Sequence, residues 1–244
     1  QVGAGELEEA RASTQQSVLL GLVIGLLVTL PLVAFSRQAI SLFGPAQDVL
    51  TMGHQYLRVV GLGFIFQSVL ILGNAALRGA GDTRTPLYIM GVVNGLNIVL
   101  SYLLIHGRGP IPTLGVLGSA GGAALARLAG GIVVLVVLAR GRRAVSVCKT
   151  GWRPDLGTIR RLLHVGLPAG GEQLLMRLGQ ASFTGMVSGL GTAALAAHQV
   201  AIRGQSLSFM PGFGFSVAAT TLVGQSLGRG DPSVARASVR EALT

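Results

Sequence analysis

The chain has 244 residues, of which 50% are hydrophobic and only 11% charged, and its mean hydropathy is +0.63. That balance excludes an ordinary soluble domain, and 37 glycines suit closely packed membrane helices better than an aqueous core. A net charge of +10 would suggest nucleic acid in a soluble protein, but its distribution argues otherwise, and the lone Cys148 excludes an intramolecular disulfide or a cysteine-based metal site.

Six apolar segments approach or exceed the ~20 residues that a spanning helix needs. They cover 17–35, 56–77, 86–105, 115–138, 162–190 and 193–227. Their connections are polar or rich in Gly and Pro, as in His106-Gly-Arg-Gly-Pro-Ile-Pro112. Residues 18–30 are apolar all round, which favours lipid over a soluble bundle. Gly21/Gly25, Gly91/Gly95, Gly118/Gly122, Gly166/Gly170 and Gly185/Gly189 have the spacing that lets helix backbones approach closely.

Consecutive spans place alternate connections on alternate sides. One side receives Arg11, Arg78, Arg84, Arg140, Arg142, Arg143, Lys149, Arg153, Arg160, Arg161, Arg229, Arg236 and Arg240. The other receives Arg37 and Arg108, with Arg58 near a span end. The rich side is therefore expected to be cytoplasmic, in a cell (inner) membrane, with both ends of the chain there. The basic excess is a topology signal and argues against nucleic acid. In the longest connection, Leu156, Ile159, Leu162 and Leu163 make an apolar stripe flanked by Arg153, Arg160 and Arg161. It predicts a short helix on the membrane surface, its arginines reaching lipid headgroups.

A repeat sets the organisation. Gly3, Gly5, Ala10, Arg11, Ala12 and Ser13 recur at one fixed offset as Gly228, Gly230, Ala235, Arg236, Ala237 and Ser238, and Glu6 corresponds to Asp231. Parallel repeats of membrane halves are a transporter habit. The chain begins at Gln1 with no charged-then-apolar leader before the first span, so it reads as an internal piece. We expect an all-α integral membrane protein, this chain holding six transmembrane helices of a two-lobe (6+6) architecture of roughly twelve spans. Residues 1–138 would be the last four helices of the N-terminal lobe. Residues 139–161 would be the cytoplasmic linker with its interfacial helix, and 162–244 the first two helices of the C-terminal lobe. The rest of the chain would then be missing at both ends.

Several stretches, in this order, resemble the multidrug and toxic compound extrusion (MATE) family. They are Gly73-Asn-Ala-Ala-Leu-Arg-Gly-Ala-Gly-Asp-Thr-Arg-Thr-Pro86, Asn97-Ile-Val-Leu-Ser-Tyr-Leu-Leu-Ile-His-Gly107 and Leu114-Gly-Val-Leu-Gly-Ser-Ala-Gly-Gly-Ala-Ala-Leu-Ala126. Gly166-Leu-Pro-Ala-Gly-Gly-Glu172, Ala196-Ala-His-Gln-Val200 and Leu222-Val-Gly-Gln-Ser-Leu-Gly-Arg-Gly-Asp231 continue the series. The resemblance covers essentially the whole chain and implies two bundles around a central cavity. It also implies export of cationic or amphipathic compounds against inward H+ or Na+, with no cofactor besides that ion and no metal. Many members carry the seventh-helix acid eight residues after the proline, where this chain has Met176; here Glu172 lies four residues after Pro168. Several members have an aspartate in the fifth helix at the place of Ser101.

The residues themselves point to a site. Glu172 is the one acidic residue within a span, and an ionisable group there is expected to serve an ion or proton pathway. Glu172, Met176, Gly179 and Phe183 share a helical face, so a carboxylate meets a soft apolar wall suited to lipophilic cations. We expect this carboxylate to be held away from water and to hold either a proton or a cationic drug, with alternating access moving each in opposite directions. A turn near Gly191 would bring Glu172 level with Pro211, leaving Arg203 ~12 Å along at 1.5 Å per residue. Arg177 points to another face. Pro211 and Gly212 predict a helix break opposite the acid. Gln67, Asn74, Asn94, Asn97 and Gln205 are amides within spans, each suited to interhelical hydrogen bonds or to ligand contact. Asn94, Asn97 and Ser101 share a face and form the first-lobe cavity candidate. His198 and Gln199 fall near the outer end of their helix, where packing or capping is expected.

Two motifs are set aside. Gly224-Gln-Ser226-Leu-Gly228 matches a hydrolase nucleophile pattern, which requires a strand before it. Gly79-Ala-Gly81-Asp82 lacks the context of a nucleotide loop and reads as a tight turn. The expected activity is therefore not enzymatic but secondary-active efflux of multidrug or cationic metabolite solutes. A lipid-linked oligosaccharide flippase is the alternative, and it should show more cavity cations than Arg177 and Arg203. Expected partners are cationic amphipathic small molecules and membrane lipid.

Overall fold

The computed structural model describes residues 7–41, 47–107, 113–141 and 155–243, and every regular element among them is a helix. The chain divides into two units, one running through Asp155 and the other starting at Leu156. Of the expected interfacial segment, Arg153 and most of the linker before it fall outside the described residues, as do Gly3, Gly5 and Glu6 of the repeat's first copy.

The first unit holds α1 (Leu7–Ala34), the short α2 (Ser36–Ser41), α3 (Gln47–Gly79), α4 (Arg84–His106) and α5 (Val116–Ala139). α3 carries Asp48 in its first turn and Arg78 in its last, matching the helix dipole at both ends. α1, α4 and α5 each pack on a neighbour, and α3 lies between α1 and α5. Lipid tails are as apolar as leucine, so helices in a membrane associate through close packing and hydrogen bonds, and small residues mark the contacts. A Cβ built on Gly25 would lie 3.0 Å from the Ile65 Cα, and one on Gly21 2.8 Å from the Leu72 Cδ1. The Thr29 hydroxyl donates to the Gly61 carbonyl at 2.8 Å, adding a polar tie between α1 and α3. α4 and α5 meet through Gly118, Gly122 and Gly130. The Gly91, Gly95, Gly166, Gly170 and Gly185 positions have no neighbour within 4 Å, so the same spacing marks contacts in only part of the chain.

The core of this unit is Val18, Leu70, Leu77, Ile89, Val93, Ala126, Val134 and Leu138. Outside it the helices are apolar too: Leu27, Leu30, Leu87 and Ile98 are each more than 60% exposed. An apolar girdle of this extent is a membrane-facing surface.

The second unit holds α6 (Leu156–Ser188), α7 (Thr192–Gly228) and α8 (Pro232–Leu243). α6 and α7 form a hairpin, turning through Gly189, Leu190 and Gly191, whose φ is 104°. Leu156, Ile159, Leu162 and Leu163 are the opening turns of α6, continuous with the rest, rather than a separate surface helix. Nothing in that stretch stops a helix.

Five helices are long and apolar enough to cross a membrane: α1, α3, α4, α5 and α7. The sixth expected span, α6, reaches ~50 Å at 1.5 Å per residue but falls short in apolarity. Glu172, Gln173, Arg177, Gln180 and its glycines dilute it. It has the length of a spanning helix and the composition of one with a polar duty.

Helices α3 and α7 end in the same way. The Gly81 N–H donates to the Arg78 carbonyl and the Asp82 N–H to the Leu77 carbonyl; Gly230 and Asp231 repeat this with Leu227 and Ser226. Gly81 and Gly230 have φ of 83° and 73°. This is the six-to-one, five-to-two helix ending that needs a left-handed residue, which glycine supplies without strain. Each aspartate then caps the next helix. Asp82 accepts from the Thr85 N–H at 3.0 Å, and Asp231 accepts from Ser233 and Val234 at 3.1 and 3.2 Å. Pro232 follows at the first helical position, where its missing N–H costs nothing. Ala10 and Ala235, equivalent in the repeat, are both 5% exposed.

Candidate ion and solute site

Glu172 sits near the middle of α6, and the unbroken helix keeps Met176, Gly179 and Phe183 on its face. From His164 to Phe183 every α6 residue is exposed. The structure thus leaves Glu172 uncovered, where the sequence suggested a carboxylate held away from water. The reason is geometric: α6 and α7 touch sparsely, and two diverging helices enclose no side chain. The register is set where the Phe183 and His198 rings meet, tilted at 57° with centroids 5.2 Å apart. That contact gives His198 a packing role, as expected. Followed back along the antiparallel pair, it brings Glu172 level with Phe209 and Met210. Gln205, also exposed, lies one turn from Phe209.

None of the hairpin's arginines, Arg160, Arg161, Arg177 and Arg203, neutralises the acid. Arg177 Nη1 turns to Gln180 Oε1 at 3.4 Å, and among the described residues Glu172 makes no ion pair. The expected break at Pro211 and Gly212 is absent: α7 runs through both without leaving helical geometry. A proline removes one donor, the bond to the Leu207 carbonyl, while the bonds on either side hold the helix together.

In the first unit, Ser101 turns into the α4–α5 seam. A Cβ on Gly122 would lie 2.5 Å from its Oγ. Asn97, half-buried, is on the same α4 stripe, one turn from Ser101 and one from Val93, which packs against Gly130. Asn94 is exposed and stands to one side, so only two of the expected trio share the seam. Gln67 is half-buried on α3. Asn74 is 2% exposed with its Oδ1 lacking a hydrogen-bond partner, a polar group the packing leaves unsatisfied. Arg127, near the middle of α5, escaped the sequence reading altogether. Its signal was present all along, a charge at the centre of the segment 115–138.

The hydrolase-like motif has no nucleophile. Ser226 is buried inside α7 and its Oγ donates to the Leu222 carbonyl at 2.9 Å. Among the described residues no cluster of His, Cys, Asp or Glu is arranged to hold a metal ion.

The MatE family model matches residues 1–103 and 168–244. The chain belongs to the MatE family. A probable multidrug resistance protein NorM from Thermotoga maritima is 35% identical over 231 residues, covering 94% of this chain and 49% of the relative. An FAD transporter from Shewanella oneidensis is 26% identical over 246 residues, covering 96% of this chain and 52% of that protein. Among solved structures, a MOP superfamily transporter from Pyrococcus furiosus superposes with a TM-score of 0.89 at 24% identity, over 98% of this chain and 53% of the other. That likeness shows the fold. The MatE chain spans about half the length of the curated relatives it matches, and with several membrane-length apolar helices it is a multi-pass membrane protein.

Proposed function

We propose that this MatE chain serves secondary-active efflux of multidrug or cationic metabolite solutes, driven by H+ or Na+ antiport with alternating access. The observation that carries the reading is Glu172: among the described residues it is the one carboxylate in the middle of a membrane-length helix, with Met176 one turn along the same face. A charge at that depth is retained for a task. The carboxylate holds a proton or sodium ion in one half-cycle and a cationic solute in the other. The adaptable Met176 thioether accepts varied apolar shapes. Gln205 offers a neutral hydrogen-bonding group on the facing helix. Further helices of the full-length protein enclose the exposed α6 face, and the arginine-rich connections lie in the cytoplasm.

The test is transport of a fluorescent cation in vesicles containing the full-length protein, with imposed proton or sodium gradients. Wild type concentrates the dye against one gradient, and Glu172→Gln uncouples the two. Unchanged gradient-driven transport by the variant removes Glu172 from the mechanism.

A further inference from the structure

Arg127 is a cation at the middle of a membrane span, and the proposal above gives it nothing to do. It lies near the midpoint of α5 (Val116–Ala139) on the stripe that faces α3. Three glycine positions establish that stripe. A Cβ on Gly63 would lie 3.1 Å from the Ala124 Cα and 3.9 Å from the Arg127 Cδ; Gly131 faces Phe66; and Gly73 faces Val134 and Leu138. Arg127 thus runs its stem over Gly63, where any side chain would press on α5. The remaining contacts of the stripe are apolar or glycine, and Gly131, Val134 and Leu138 are buried. This placement is not that of a lipid-facing arginine reaching a headgroup, since such residues lie near helix ends.

An intramembrane guanidinium requires an anion or a dense set of acceptors. Arg127 is half-buried and has no hydrogen bond or ion pair among the described residues. The described carboxylates of its own unit, Glu8, Glu9, Asp48, Asp82 and Asp155, all lie at helix starts, in a turn or at the end of the unit, and none is within a span. Gln67, one turn along α3 from Gly63, is the neighbouring amide on that face and carries no charge.

We propose that Arg127 anchors an oxyanion, a carboxylate or phosphate carried by the transported solute, with Gln67 as an adjoining hydrogen-bonding group. This rests on the transport reading and deepens it: the solute class includes zwitterions and organic anions as well as cations. A guanidinium presents paired N–H donors that match both oxygens of such a group, a geometry that lysine lacks.

The experiment uses full-length protein in vesicles and two fluorescent solutes, a lipophilic cation and the same molecule bearing one added carboxylate. With Arg127→Gln, transport of the carboxylate-bearing solute falls about tenfold or more, the cost of an unmatched polar group in a recognition site, while the cation is moved as before. Arg127→Lys restores part of the loss because the charge remains. An unchanged ratio between the two solutes overturns the proposal. An equal loss of both also overturns it, since the arginine then serves a protein carboxylate or the packing. Wild-type protein moving neither solute would instead refute the transport reading, a result separable from the others because it precedes any substitution.

Discussion

Ser101 and Gly122 are in backbone contact across α4 and α5: a Cβ on Gly122 would lie 2.6 Å from the Ser101 N and 2.5 Å from its Oγ. That distance forbids any larger residue without parting the helices. Gly122→Val is expected to cost about 1–3 kcal/mol, the usual range for overpacking. Gly95→Ala, with nothing within 4 Å, meets no clash and should raise stability by up to about 1 kcal/mol, since alanine is the better helix former. Thermal melts of both variants in detergent check the contrast; equal melting temperatures would mean that α4 and α5 do not meet as described.

Ser36 and His54 make a 2.7 Å hydrogen bond that fastens the α1–α2 bend to α3. The Ser36 hydroxyl has a single proton, and its Oγ also lies 3.0 Å from the Val33 carbonyl, which can only accept. His54 Nδ1 must therefore carry the hydrogen and donate to Ser36. Nitrogen NMR of the imidazole should show protonated Nδ1. Ser36→Ala should cost about 1 kcal/mol and speed amide exchange in α2. A ring protonated only at Nε2 contradicts the assignment.

Asp231 caps α8 with its carboxylate. Hydrogen bonds from the Ser233 hydroxyl first, and then from the Val234 and Ser233 amides, outweigh a small desolvation effect and hold its pKa below the ordinary 3.8. A lowered folded-state value means that ionised Asp231 stabilises α8 fully above the unfolded value, and this is lost as pH falls through the folded one. Amide protection at Ser233 and Val234 should fade only below pH 3.8, and Asp231→Asn should flatten that response. A midpoint above 3.8 would show that the cap does not favour the charged form.

Gly81 is held at a φ of 83° by the turn that ends α3. Gly81→Ala should cost roughly 1–2 kcal/mol, the penalty of a left-handed L-residue. Gly230→Ala should act alike and loosen α8, because Gly230 closes the same turn after α7. Chemical denaturation of each variant measures this, and a neutral Gly81→Ala would exclude the turn geometry.

Met176→Ala is expected to change which lipophilic cations are moved, severalfold and without loss of coupling, since the thioether supplies shape and no charge. Efflux assays over a panel of cations of increasing bulk would show it. A uniform loss across the panel would place Met176 in packing instead.

Much of the architecture was legible because lipid imposes a simple rule: a spanning helix must be long and apolar, whatever its neighbours. The runs around Val18, Leu70, Val93 and Val134 announced themselves on that ground, as did the turn at Gly81 and Asp82. Glu172 stood out because an acid in such a run is expensive. Arg127 breaks the same rule, and its rotation toward α3 could not be told from a segment apolar on every other side. Pro211 misled in the other direction, since a missing donor predicts a weak point and not a break.

Composition and periodicity by themselves settled the helical class, the position of the apolar helices and the tight turn at Gly79-Ala-Gly81-Asp82, since these depend on local chemistry along the chain. Only the tertiary structure decided which glycines bring helices together, that Ser101 faces Gly122 while Asn94 does not, and that Arg127 lies over Gly63. Those facts depend on how each helix is rotated about its axis. A helix apolar on every side carries no stripe to reveal its rotation, which is fixed instead by the close contacts of small residues on its neighbours.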